Sequence, residues 1–436
     1  MGQKPHTKEP WEVMQKSHGH SNQLFKSLKE RGSSMTGNML SKSLKAIKAL
    51  LFRAITIECD SIPYEFRDVP IKKILNWIRV ETSIQLRAKS PWGWPTHLQI
   101  EPATLCNLRC ALCPVTEGMD RHTGLMELDL FKKFIDEIGE YVFVALMWDW
   151  GEPFVNPSIY DMIAYAKRKG IKVVSSTNGH FFAKEENARK LIFSGIDTII
   201  IAMDGITQHT YERYRQSGNL ETVLEGIRNV IEQKRTLNSE KPLINLRFLA
   251  MKHNEHEIPE LKRLAKSLGV DVLSIKTLNP YSRDTYFEHR AAQGEGFDAF
   301  LPQEASYRRF RYVGKGRHKH RVRRNPPCKN LWNAPTIHWD GIVCPCTYDY
   351  NEMYIFGDLK SDTFEDVWFG LPYRKMRRQF RSDWEKIRLC CNCSYSYEGG
   401  SCWNETIAKI FVNPRIVNVF SKPESPDKVQ SLDDPE

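Results

Sequence analysis

A chain of 436 residues is long enough for two or three domains. Its 41% hydrophobic and 27% charged residues are those of a water-soluble globular protein, and it has no run of about 18 apolar residues to form a spanning helix. The formal charge of +10 permits an acidic partner without naming one; Met1–Pro10 lacks the apolar core of an export signal, which predicts a cytoplasmic protein, and 11 cysteines in that compartment predict metal ligands rather than disulfides.

Residues 1–40 are polar, with Gly, Ser and Lys throughout, and read as loosely ordered. From Ser41 to Ile57 the apolar residues Leu44, Ile47, Leu51 and Ile55 recur at helical spacing, with Lys42, Lys45, Lys48 and Arg53 between them. Ile71 to Val80 continues in this style with Ile74, Leu75 and Ile78. Residues 1–90 are thus expected to be an extension that is disordered first and helical later. Two readings stand: a helical pair packed on the main domain, or a basic amphipathic helix in peripheral contact with a membrane.

Strands and helices alternate through the next region, 91–277. The strand candidates are Thr96–Ile100, Val142–Met147, Lys172–Ser176, Asp197–Met203, Ile244–Met251 and Val272–Lys276. Helices are expected over Asp129–Ile138, Ile159–Arg168, Lys184–Phe193, Glu221–Lys234 and Glu257–Leu268. The β-branched run Thr198-Ile199-Ile200-Ile201 suits a strand buried on both faces. Six strands alternating with helices predict an α/β fold with a parallel sheet, whose active site lies at the carboxyl ends of the strands.

The loop after the first strand carries Cys106, Cys110 and Cys113 at C-x3-C-x2-C. Thiolates are soft ligands that select zinc, copper(I) or iron–sulfur clusters. Three of them in eight residues can wrap one small metal centre, yet a four-thiolate site would lack its last ligand. A zinc knuckle is the alternative. The spacing and its place resemble the radical S-adenosylmethionine (radical SAM) superfamily. That resemblance implies a 4Fe–4S cluster whose fourth iron binds SAM, and an electron donor such as flavodoxin or ferredoxin. It also implies a partial (β/α)6 barrel. Further strand ends carry it. Trp150-Gly151-Glu152-Pro153 is similar to the family's Gly-Gly-Glu motif, with Trp150 in place of the first glycine. Asn178 lies in Thr177-Asn178-Gly179, which resembles a Thr-Asn-Gly turn beside SAM. Ala202-Met203-Asp204-Gly205, followed by Arg215, resembles Ser-x-Asp-Gly without its serine. The resemblance therefore implies Gly151, Glu152, Pro153, Asn178, Asp204 and Arg215 as cofactor-binding residues. Arg247 and Lys276 are expected to face the barrel interior, where the SAM carboxylate or a salt bridge would meet Arg247.

Residues 278–325 read as a basic connector containing Arg317-His318-Lys319-His320-Arg321. No aromatic RNA-binding signature accompanies it, and no nucleic acid is expected.

The second cysteine field spans 326–404. Cys328, Gly341 and Cys346 fall at C-x12-G-x4-C, and Cys390 and Cys393 add C-x2-C. The pattern resembles the SPASM/twitch extension, a small cysteine-rich iron–sulfur domain. It implies one auxiliary 4Fe–4S cluster on Cys328, Cys346, Cys390 and Cys393, with a tetrahedral zinc site as the alternative. Cys344, Cys391 and Cys402 are left over. Cys402 is a candidate hydrogen donor or a packed thiol. Asp349 is a candidate base or an exposed hairpin carboxylate. Residues 405–436 read as a tail that frays after about Asn413. The functional expectation is a radical SAM enzyme acting on an unidentified peptide, glycan, lipid or small molecule. The competing expectation is a noncatalytic zinc or iron–sulfur scaffold associated with nucleic acid.

Overall fold

The computed structural model describes residues 43–60, 62–278, 299–308, 312–313, 320–321, 328–391, 393 and 406–412. Cys402, the run 317–319 and the stretch after Val412 lie outside them. The described residues fall into two compact units, one of 43–56 and 65–74, the other of 57–60, 62–64 and everything from Leu75 on.

In the first unit a helix covers 43–52 and stops at Arg53, whose φ of +48° is left-handed. Arg53 also anchors the chain that follows: its Nε donates to the Val69 carbonyl at 3.2 Å, and the Val69 N–H donates back at 2.9 Å. The extension is not purely helical as expected. Strands β1 (Ile55–Cys59) and β2 (Ile62–Phe66) pair as a hairpin before the helix Ile71–Leu86. Ile55, read as part of a helical stripe, begins a strand in which burial alternates.

The second unit is the α/β barrel expected from the six-strand count. The strands β3 (His97–Ile100), β4 (Val144–Met147), β5 (Lys172–Thr177), β6 (Thr198–Ala202), β7 (Leu243–Ala250) and β8 (Val272–Thr277) run parallel in sequential order. The helices Leu128–Ile138, Ile159–Arg168, Glu185–Phe193, Leu220–Thr236 and Ile258–Leu268 follow them in turn. Each presents an apolar stripe, such as Leu130, Phe131, Phe134, Ile135 and Ile138, to the convex face of the sheet. Leu98, Ala145, Val173, Ile199, Leu246, Phe248 and Ile275 supply that face, and this layer is the core.

The sheet does not end with those six strands. A two-residue ladder, β9 (Tyr312–Val313) with β10 (His320–Arg321), stands apart from it. Then β11 (Thr336–Ile337) joins the free edge of β3 in parallel, and β12 (Ile342–Cys344) and β13 (Gly357–Asp358) follow antiparallel. At the other edge β14 (Thr406–Phe411), within the stretch read as a tail, pairs antiparallel with β8. The free edges of β3 and β8 are therefore both paired by strands from the C-terminal part of the chain.

The register sets the opposite, concave face. Arg247 sits opposite Ser274 and Ala202, and Lys276 opposite Leu249. Gln99, Thr198 and Asn245 belong to this face too, so it is polar where an ordinary parallel sheet is apolar. The hairpin answers part of that polarity. The Tyr64 hydroxyl and Thr198 Oγ1 are 2.8 Å apart. Asp60 accepts from Lys276 Nζ at 2.6 Å and from Arg247. Arg247 thus faces inward as expected, but it meets a protein carboxylate, not an open position awaiting the SAM carboxylate. Burial by itself would raise the Asp60 carboxyl, yet Arg247, Lys276 and Lys409 together hold it below its ordinary value.

Asp60→Ala takes the carboxylate from two buried cations and is expected to cost about 3–5 kcal/mol, the usual loss on breaking a buried pair. Urea unfolding checks it; coincident curves for parent and variant would contradict it. The pH dependence has a definite sign. Because the folded carboxyl titrates lower, the contribution of Asp60 is complete above the unfolded value of about 3.9 and disappears as pH falls through the lower folded value.

Candidate functional site

The carboxyl ends of the strands converge on a cavity of about 140 Å³, partly open to solvent. Cys106, Cys110 and Cys113 line it together with Gly151, Glu152, Asn178, Ala202 and Arg215. The structure thus gathers the three-cysteine loop and the three later strand-end motifs around one space.

The loop is held from outside. The Arg109 N–H donates to the Gln216 carbonyl at 3.0 Å, and the Ala111 N–H to Tyr214 at 2.8 Å. Leu112, between the second and third cysteines, has φ +61°. A left-handed leucine costs roughly 1–2 kcal/mol, which the packing around it must offset. Its side chain lies against Leu249, Met251 and Leu278. Burial pushes the Cys106 thiol up to about 11, the Cys113 thiol up to about 12, and Cys110 upward too. Such thiols stay protonated near neutrality, and their ionisation is coupled to the arrival of a cation.

Glu152 ties two strand ends together. Its Oε1 accepts from Thr177 Oγ1 at 2.8 Å, and its Oε2 from the Asn178 N–H at 2.8 Å. Burial raises it to about 7 against these bonds. Asn178 Nδ2 donates to Asn107 Oδ1 at 2.8 Å, extending the tie to the cysteine loop. Pro153 is buried and opens the short turn Pro153–Val155, outside the cavity lining. Gly151 adopts φ +86°, and a Cβ there would come within 2.4 Å of the Ala103 carbonyl oxygen.

Asp204 reaches the cavity through Arg215. Its Oδ2 accepts from Arg215 Nε at 2.6 Å and its Oδ1 from the Leu249 N–H at 2.7 Å. Burial works against the Arg215 charge, but Asp204 and the neighbouring Cys110 hold its pKa well above the ordinary arginine value. Arg215 Nη1 lies 3.7 Å from Cys110 Sγ. A cation here can offset the negative charge that cluster thiolates bring.

Sequence reading missed Asp149, which lines the same cavity. Burial, then the nearby Glu101, raises its carboxyl well above the usual range. Its Oδ1 accepts from Thr347 Oγ1, one residue beyond Cys346. The only sequence signal was its place beside Trp150. That tryptophan also reaches Thr347, donating from Nε1 to the carbonyl at 2.9 Å, and meets the Tyr350 ring edge-on at 5.4 Å. Buried Arg121 adds contacts to Glu101 and to the Tyr350 carbonyl, the latter at 2.6 Å.

In the second cysteine field, β11 and β12 form a hairpin turning at Gly341, with φ +94°. Cys328, Cys346, Cys390 and Cys393 come together beyond it. Burial raises the Cys346 thiol, and Cys393, Cys328 and Cys390 add to the rise because each lies close. Each of these four cysteines is half-buried, and four thiolates are what a closed iron–sulfur centre takes. Among the described residues, no three His, Cys, Asp or Glu side chains are grouped closely enough to hold a metal ion. Cys344 is fully buried, 3.9 Å from His338 Nδ1. Cys391 lies 3.3 Å from the Arg388 carbonyl. Asp349 is not the exposed hairpin carboxylate of one expectation. It is 1% exposed, accepts from the Met353 and Tyr354 N–H groups at 2.8 Å each, and is raised by burial to about 6. It does not line the cysteine-loop cavity.

Comparison with known proteins bears on both cysteine fields. The family model of the radical SAM superfamily matches residues 100–276, and that of an iron–sulfur cluster-binding domain, SPASM, matches 328–394. A tungsten-containing aldehyde ferredoxin oxidoreductase cofactor-modifying protein of Pyrococcus furiosus is 24% identical over 64% of this chain and 83% of its own. An AdoMet-dependent heme synthase of Nitratidesulfovibrio vulgaris is 24% identical over 71% of this chain and 88% of its own. In fold, Streptococcus suis SuiB bound to precursor peptide SuiA is similar with a TM-score of 0.50 at 14% identity, covering 82% of this chain and 83% of that one.

Gly151→Ala is expected to push the cysteine loop away from β4. The left-handed backbone alone costs about 1–2 kcal/mol, and the overlap with Ala103 adds to it. Iron bound per chain after anaerobic loading should fall, and thermal unfolding should move down. A variant with parental iron and melting would contradict the close approach.

Proposed function

The chain belongs to the radical SAM superfamily, and we propose on that premise that it cleaves SAM reductively and abstracts a hydrogen atom from its substrate. Its cofactors are SAM, the 4Fe–4S cluster that binds it and one auxiliary 4Fe–4S cluster. When bound, the first cluster and SAM would supply the one-electron reductive chemistry that breaks the SAM C5′–S bond, with methionine as the leaving group and an external carrier as the electron source. The observation that carries this reading is the single cavity lined by Cys106, Cys110, Cys113, Gly151, Glu152 and Arg215.

Cys106, Cys110 and Cys113 would hold the first cluster by three thiolates. Glu152, pinned between Thr177 and Asn178, would present its carboxylate to the SAM amino group. Gly151 lets the backbone run against the cysteine loop. Asp204 is a positioning residue, fixing the Arg215 guanidinium beside Cys110. Ala202 leaves the cavity wall without the hydroxyl that related sequences place there. Cys328, Cys346, Cys390 and Cys393 would hold the auxiliary cluster. Asp149 and Trp150 couple its hairpin to the cavity through Thr347. An electron carrier of the flavodoxin or ferredoxin kind would supply the reducing equivalent.

Two tests follow from the division of labour between the cysteine fields. Replacing Cys106, Cys110 and Cys113 together by Ala should abolish 5′-deoxyadenosine formation under a strong reductant while the chain keeps iron at its second field. Undiminished 5′-deoxyadenosine would end the reading. Single Ala replacements of Cys328, Cys346, Cys390 and Cys393 should each lower iron content and destabilise residues 328–391, since metal binding is coupled to folding. If replacing Cys344 and Cys391 removed that iron while replacing Cys346 and Cys390 spared it, the ligand set would be wrong.

A further inference from the structure

The helix 43–52 exposes its large apolar side chains, whereas the barrel helices bury most of theirs. On a wheel of 100° per residue, Ala46 and Ala49 share one side. Ala49 is 2% exposed. Leu50, Ile47, Leu51 and Leu44 follow one another around the other side, with Phe52 beyond them. These are the large apolar side chains, and they face outward: Leu44 is 50% exposed, Ile47 52%, Leu51 72% and Phe52 72%. A helix that turns Ala49 inward and exposes its leucines has, among the described residues, an unpartnered apolar face.

One side of that face is basic. Lys45 and Lys48 are both exposed and fall on the wheel beside Leu44 and Phe52. Arg53 does not belong to that side, because its guanidinium is bound to the Val69 and Asp68 carbonyls. Lysine stems are apolar and their ammonium groups seek water or anions, so both can be satisfied where hydrocarbon meets charged headgroups. No described helix is long and apolar enough to cross a membrane. A short helix with this arc and rim suits the plane of the interface. The net charge of +10 favours an anionic surface.

We propose that the helix 43–52 is a docking surface for an anionic lipid bilayer, entered by Leu44, Ile47, Leu51 and Phe52, with Lys45 and Lys48 at the headgroups.

Flotation of the intact chain with vesicles tests this. Vesicles of phosphatidylcholine containing phosphatidylglycerol should carry the protein upward at low salt, and phosphatidylcholine alone should carry far less. The double variant Lys45→Ala/Lys48→Ala should lower partitioning about 30-fold, the factor expected for two basic residues at an anionic surface. Leu44→Ser/Leu51→Ser should abolish it. Both pairs are exposed, so iron content and melting temperature should stay at parental values. No flotation at low salt overturns the proposal. So does flotation that neither double variant weakens, which would place binding elsewhere in the chain. Concentration-dependent self-association without flotation, or protection of Leu44 and Leu51 by residues 1–42, would identify a different occupant and equally overturn it.

Discussion

The mouth of the barrel depends on how closely two backbones approach. Gly151, at the turn after β4, lies so near the Ala103–Leu105 segment that a Cβ would stand 2.4 Å from the Ala103 carbonyl oxygen. Only glycine fits there, both for space and for φ +86°. That approach lets the Glu152 N–H donate to the Leu105 carbonyl at 2.8 Å, which fixes the chain entering the cysteine loop. The Glu152 side chain then takes up Thr177 and Asn178, and Asn178 returns to Asn107 in the loop. Two strand ends and the cysteine loop are thereby joined in one hydrogen-bonded network beside the cavity.

The residue before Gly151 carries the link outward. Family members commonly have glycine at this position, and here Trp150 spends its side chain on the second cysteine field. Its indole N–H reaches the Thr347 carbonyl, and its ring meets Tyr350. Asp149 adds a hydrogen bond from the Thr347 hydroxyl. Because β11 extends the sheet from β3, the auxiliary region is built onto the same framework as the cysteine loop. Displacing the segment that carries Cys346 and Thr347 would therefore be felt at Trp150 and at Asp149, the latter lining the cavity.

Much of this was legible in the sequence because the signals were local. The β-branched run at Thr198–Ile201, the apolar stripes of the helices and the punctuation between them put all six barrel strands within two residues of their true ends. The cysteine spacings pointed to two fields. What escaped reading depended on residues far apart. Asp60 is separated from Arg247 by 187 positions, so no local pattern paired them. Asp349 looked like a loop carboxylate, but the turn that follows folds back and buries it against its own N–H groups. Asp149 carried no motif of its own. Ile55 continued a helical stripe in spacing, yet the left-handed Arg53 ended the helix and the chain went on as a strand.

The central claim is that the first cysteine field holds a cluster open to SAM and the second holds one that is closed. Electron paramagnetic resonance of the reduced, anaerobically loaded chain, recorded with and without SAM, tests it most directly. Two cluster signals are predicted, one altered by SAM and one indifferent to it. A spectrum that SAM leaves unchanged, or a single signal that vanishes with the second cysteine field, would contradict the claim.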